Sequence, residues 1–130
     1  MIIGNTMKGK AKQGGARQHL LKAAINVFNK QGFAAASTQQ IIKKAKITKP
    51  TLYYYFKKKE NLYREVIRDI FKRFNDQLAI IAARPSPPMK KLVQVVSLYL
   101  DNTRRKPEEV RLIMMTLYRC DVSTPKINLE

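Results

Sequence analysis

Between Ser37 and Leu62 the chain holds two short apolar-periodic segments separated by only a few residues, too close for anything but two helices packed across a tight turn. Ser37 or Thr38 can cap free backbone N–H groups where the first begins. In Gln39 to Ala45, residues Ile41, Ile42 and Ala45 fall at i, i+1 and i+4 and form an inward edge, which leaves Gln39, Gln40, Lys43 and Lys44 outside. The turn is Ala45-Lys46-Ile47. Thr48 can cap the second segment, Pro50 is tolerated in a first turn, and Leu52 with Phe56 supplies an i, i+4 inward pair. Its outward face carries Lys49, Thr51, Tyr54 and Tyr55. A short second helix presenting cationic, hydroxyl and aromatic groups fits a DNA major groove. An aromatic run at helical spacing also has a structural reading, in which Tyr53 and Tyr55 pack their rings and leave only the hydroxyls wet.

Charge points the same way. Residues 1–60 hold 13 Lys or Arg against one acidic residue, net +12, whereas residues 61–130 hold 13 basic and 8 acidic residues, net +5. A solvated basic face would need no such asymmetry. The concentration of charge around the paired helices makes a polyanion the expected partner, bound by counterion release. The first sixteen residues, with Gly4, Gly9, Gly14 and Gly15 among Lys8, Lys10 and Lys12, offer little apolar surface and read as a flexible basic arm.

The remaining segments are also helical in pattern. A first helix is expected from Ala16 or Arg17 to Gln31, with Leu20, Leu21, Ala24, Ile25 and Phe28 inward and Gly32 as its stop. A long helix from Lys59 to about Ala83 shows Leu62, Val66, Ile70, Phe74, Leu78 and Ile81 at three- and four-residue intervals, until Pro85, Pro87 and Pro88 interrupt it. Met89 to Arg105 follows with an inner stripe of Leu92, Val95, Val96 and Tyr99. A sixth segment after Pro107 carries Val110, Ile113, Met114, Leu117 and Tyr118. Phe71, Phe74, Tyr99, Met114 and Tyr118 can line an apolar pocket, although such spacing more commonly marks ordinary core.

With these residues in place, the stretch from Arg17 to Val66 resembles the TetR-type transcriptional regulators. The resemblance rests on Ala24, Phe28 and Gly32-Phe33 closing the first helix, Ser37-Thr38 opening the second, Ile41 and Ala45 within it, Thr51-Leu52-Tyr53, Tyr55-Phe56, Lys59-Glu60 and Leu62. It implies an all-α chain: a three-helix DNA-binding domain with a helix-turn-helix over residues 17–60, and a partial helical ligand-binding and dimerisation domain over 61–130. It further implies that Gln39, Lys49, Thr51 and Tyr53 face base edges, that Thr38, Tyr54, Tyr55 and Lys59 meet phosphates, and that the fourth helix moves when an effector binds. Three positions depart from the family pattern. Lys46 stands where glycine is usual, Ile42 where alanine is usual, and Lys58 where a Ser, Asn or Asp would cap the fourth helix.

The implied function is sequence-specific transcriptional regulation, a repressor on double-stranded DNA released by a small-molecule effector and working as a homodimer. The alternatives are a non-specific or architectural DNA-binding protein, or a regulator fragment without effector response. The segment from Asp121 to Glu130 is polar and interrupted by Pro125, so it cannot supply the dimerisation helices that family members usually carry. The only histidine, His19, has no carboxylate or cysteine cluster near it in sequence. Gly14-Gly15 lacks the spacing of a phosphate loop, and Cys120 has no partner cysteine and reads as a small apolar residue. An enzyme, a metal centre and a cofactor are therefore not expected. The longest apolar runs are far short of the roughly 18 to 20 residues that cross a bilayer, and no signal peptide is visible, so a cytoplasmic protein is expected.

Overall fold

The computed structural model describes the backbone of residues 2–118 and 123–128, and the side chains of residues 15–118 and 123–128. Six helices follow in order: α1 (Ile2–Ala35), α2 (Thr38–Ala45), α3 (Lys49–Tyr55), α4 (Lys59–Ala83), α5 (Pro88–Arg105) and α6 (Pro107–Leu117). The described residues contain no strand. No helix among them is long and apolar enough to cross a membrane. Cys120 lies outside the described residues.

α1 begins at Ile2 rather than at Ala16 or Arg17, so the helix takes in the segment expected to be an arm. Glycines weaken a helix there, but residues 1–16 contain no proline to remove a backbone donor. Leu20, Leu21, Ala24, Ile25 and Phe28 are all buried, as the spacing predicts. Gly32 breaks the helix with φ 76° and ψ 170°, a conformation in the left-handed half of the map that a side chain would resist. The break turns Phe33 inward. Its ring lies 6.0 Å from Phe28 and 5.3 Å from Tyr63, and Phe28 and Tyr63 meet edge to face at 5.0 Å.

The core gathers α1 with Ile41 and Ala45 of α2, Leu52 of α3, Phe56, and Leu62, Tyr63, Val66, Ile67 and Ile70 of α4. Leu112 of α6 completes it. α6 docks on α1 through polar groups too: the Asn29 amide donates to the Glu108 carbonyl at 2.7 Å, the Asn26 amide donates to the Glu108 carboxylate at 3.1 Å, and the Tyr63 and Thr116 hydroxyls are 2.6 Å apart.

Beyond Ile70 the packing thins, because only α5 and α6 flank α4 there. The expected inner stripe of α5 is not buried. Leu92, Val96 and Tyr99 are exposed, Val95 is half-buried, and Met89, Val93 and Leu100 add to the same uncovered apolar surface. α6 differs from expectation as well, since Leu112 and Thr116 are its buried residues while Leu117 and Tyr118 face outward. The α1 contact, which lies outside the helix's own pattern, sets that face. Residues 123–128 form no helix, and Ile127 rests against the core.

Candidate nucleic-acid interface

The α2–α3 pair is built by local chemistry at three points. At its entry, the Ser37 hydroxyl accepts from the Gln40 N–H at 3.1 Å while the Gln40 side-chain carbonyl accepts from the Ser37 N–H at 3.0 Å, a reciprocal capping box. At the turn, Lys46 adopts the left-handed conformation, φ 55° and ψ 47°. The Lys46 N–H reaches the Lys43 carbonyl at 3.3 Å and the Ile47 N–H the Ile42 carbonyl at 3.1 Å, a Schellman closure whose apolar partner, Ile47, packs on the core. At the start of α3 the expected Thr48 cap does not form. Its hydroxyl instead lies 2.8 Å from that of Thr51, and Pro50 occupies the first turn where no N–H is needed.

These constraints bury Ile41, Ala45, Leu52 and Phe56 and turn the opposite sides outward. Gln39, Lys43, Lys44, Lys46, Lys49, Tyr53 and Tyr54 are exposed; Thr38, Thr51 and Tyr55 are half-buried. Tyr54, at 76% exposure, is too open to be a core aromatic, and Tyr53 at 45% leaves a broad ring surface available. The Lys49 ammonium sits 5.8 Å from the centre of the Tyr53 ring, and the Tyr54 and Tyr55 rings meet at right angles 5.0 Å apart. The candidate base-facing residues Gln39, Lys49, Thr51 and Tyr53 thus lie on the same helix pair as Thr38, Tyr54 and Tyr55.

Lys59, expected to meet a phosphate, is also engaged within the protein. Its ammonium donates to the carbonyls of Phe33 at 2.8 Å and Ala34 at 3.3 Å, and lies 4.3 Å from the Phe33 ring centre. It closes the C-terminal end of α1, where carbonyls lack helical partners. Two of its three N–H groups are spent inside the protein. The signal that could have revealed this is Gly32: a helix stopped by glycine leaves open carbonyls, and a lysine at the next helix start is well placed to take them.

A concavity of about 440 Å³ lies between α4, α5 and α6. Phe71, Phe74, Tyr99 and Met114 line it as the sequence suggested, whereas Tyr118 does not. Arg73 spans its edge, bonded to Asp69 within α4 at 3.1 Å and to Glu109 of α6 at 2.9 Å. Partial burial opposes the charged guanidinium, but the hydrogen bond and attraction from Glu109, joined by those from Asp69, outweigh it and raise the pKa above its ordinary value. His19 is exposed, and the described residues hold no cluster of metal-binding groups.

Residues 20–66 match the profile of a family described as bacterial regulatory proteins, tetR family, and the matched span is the reader just described. Over that span the chain is a TetR-family sequence. Similar curated proteins include the HTH-type transcriptional repressor NicS of Pseudomonas putida, 35% identical over 97 residues that make up 75% of this chain and 46% of that protein. The HTH-type regulator YdgC of Bacillus subtilis is 44% identical over 67 residues, 52% of this chain and 33% of that protein. Among solved structures, a TetR-like regulator from Rhodococcus sp. RHA1 aligns with TM-score 0.75 at 27% identity, over 81% of this chain and 57% of that one. A gamma-butyrolactone receptor shares the fold at TM-score 0.76 and 16% identity, over 92% of this chain and 59% of that one. The chain therefore spans about a third to a half of the length of these curated relatives. The six-helix order, with a capped α2–α3 pair between α1 and a long α4, is the TetR arrangement expected from the sequence.

Proposed function

We propose that this chain binds duplex DNA as a TetR-type transcriptional regulator, a repressor, with residues 17–60 as the reading unit and 61–130 as part of an effector-binding and dimerisation region. The observation that carries the proposal is the exposed basic and aromatic face of α2 and α3, held rigid by the capping box and the Schellman turn. On this reading Gln39, Lys49, Thr51 and Tyr53 meet base edges. The Gln39 amide and the Lys49 ammonium can bond purine N7 or O6, and with the Thr51 hydroxyl engaged by Thr48, its methyl is suited to the thymine methyl. Thr38, Tyr54 and Tyr55 meet phosphates and fix register. Lys59 serves mainly to hold the end of α1, with one N–H left to offer.

Two copies reading half-sites roughly 34 to 36 Å apart would cover a two-fold operator. The cavity under α4 is the natural seat for an apolar effector, because α4 joins the reader core at Leu62–Ile67 to that cavity at Ile70–Phe74. A small molecule seated there would shift α4 and thereby change the spacing of the two readers.

The test is binding to a pool of randomised duplexes followed by sequencing of the bound fraction. Lys49→Ala should change which sequences are selected, while Tyr54→Phe should weaken all of them alike. If the parent protein enriches no sequence over the input pool, sequence-specific regulation is wrong and a non-specific DNA-binding role takes its place.

A further inference from the structure

A polar cleft of about 350 Å³ opens beside the reader, lined by Arg17 of α1, Tyr55 and Phe56 at the end of α3, and Asn61, Arg64, Glu65 and Arg68 of α4. Three guanidinium groups share it with a single carboxylate. Glu65 holds two of them, accepting from Arg17 and from Arg68 at 3.2 Å each through its two oxygens. Arg17 also lies 5.9 Å from the Phe56 ring centre, so its plane is fixed from two sides. Arg64 pairs with no carboxylate among the described residues. The cleft thus carries an excess of two positive charges, with two of its three guanidinium forks oriented by Glu65.

From this arrangement we infer that the cleft takes a DNA backbone phosphate flanking the sequence read by α2 and α3, an inference that rests on the DNA-binding reading above. Guanidinium forks match the paired oxygens of a phosphodiester, and the Asn61 amide adds a neutral donor to the same wall. Tyr55 belongs both to the cleft and to the outward face of the reader, so the two surfaces are continuous. A phosphate bound here would add affinity without sequence preference and would extend the footprint past the major-groove contacts.

The experiment is a NaCl series by fluorescence anisotropy on a random-sequence duplex of about 24 base pairs, comparing the parent chain with R64Q/R68Q. A control, R84Q/K90Q, removes equal charge elsewhere; Arg84 follows the last residue of α4, and Lys90 neighbours Lys91, whose ammonium caps that same far end at Ala82, roughly 27 Å along the helix from Arg64. Each phosphate contact contributes about 0.9 to the slope of log K against log salt, so R64Q/R68Q should lower that slope by about 1 to 2 and the affinity by about tenfold. The control should change the slope by less than about 0.5. If R64Q/R68Q fails to fold by circular dichroism, R64Q alone, which breaks no ion pair, should lower the slope by about 1.

Unchanged slope and affinity in a folded variant would overturn the cleft while leaving the DNA-binding reading standing. Equal losses in the control would assign the effect to bulk charge and overturn it too. Calorimetric binding of pyrophosphate to the parent, abolished by R64Q/R68Q without a change in DNA slope, would reassign the cleft to a free anion. A parent chain that binds no duplex at all would sink both readings together.

Discussion

Replacing Lys46 with glycine should leave a more stable protein than replacing it with alanine, because the turn of the reader forces this residue to φ 55° and ψ 47°. A residue with a Cβ pays about 1 to 2 kcal/mol for that left-handed geometry, whereas glycine adopts it without a clash. Glycine also loses more freedom on folding, which returns about 0.4 to 1 kcal/mol of the gain. The Lys46 charge near the C-terminal end of α2 is worth about 0.3 to 1 kcal/mol through the helix dipole, so Lys46→Gly alone mixes two effects. Lys46→Ala separates them, since it removes the same charge but keeps the Cβ and the strain. Lys46→Gly should therefore exceed Lys46→Ala by about 0.5 to 1.5 kcal/mol, or about 2 to 5 °C in Tm for a chain of this size. Both backbone bonds of the turn, from Lys46 to Lys43 and from Ile47 to Ile42, persist in either variant. Calorimetry or thermal circular dichroism at moderate salt reads the difference. An alanine variant as stable as the glycine variant would refute the strain argument.

Other variants probe the remaining joints. Lys59→Ala removes two bonds to α1 carbonyls and the contact over Phe33, and should lower the urea midpoint by an amount equivalent to about 1 to 3 kcal/mol; an unchanged midpoint would return Lys59 to a purely DNA-facing role. Asn29→Ala takes away the donor to the Glu108 carbonyl and should cost about 1 to 3 kcal/mol, with faster amide exchange in α6 as the sign that its dock on α1 has loosened. Tyr63→Phe should cost about 1 kcal/mol, limited because Thr116 keeps its bond to the Leu112 carbonyl at 2.8 Å; a loss several times larger would mean the hydroxyl pair does more than join α4 to α6.

The reader was legible because its signals are local. A hydroxyl residue at a helix start, a proline in a first turn and apolar pairs at i, i+4 each act within one turn of helix, and the structure places α2, α3 and α4 where those signals put them. Even the unusual Lys46 was visible as a position where glycine is expected. What escaped the sequence depends on distant partners. The bridging of α6 to α1 through Asn29 and Glu108, residues 79 apart, rotates α6 so that Leu112 faces inward, and no periodicity within residues 107–117 encodes that choice. The Thr48 hydroxyl was likewise misread, because a competing hydroxyl on Thr51 lies one turn away. For α5 the spacing marked an apolar side, and the structure leaves most of that side uncovered.

That uncovered side has a practical consequence for handling the molecule. Met89, Leu92, Val93, Val96 and Leu100 form a water-facing apolar surface on a chain whose net charge is +17. In dilute buffer, mutual repulsion opposes non-specific clustering through that surface. The ions that strip a cationic protein from nucleic acid also shorten the reach of the repulsion, to about 3 Å at 1 M salt. Purification at high ionic strength therefore removes contaminating DNA and colloidal protection together, so the preparation should be cleanest under the conditions in which it is most prone to precipitate.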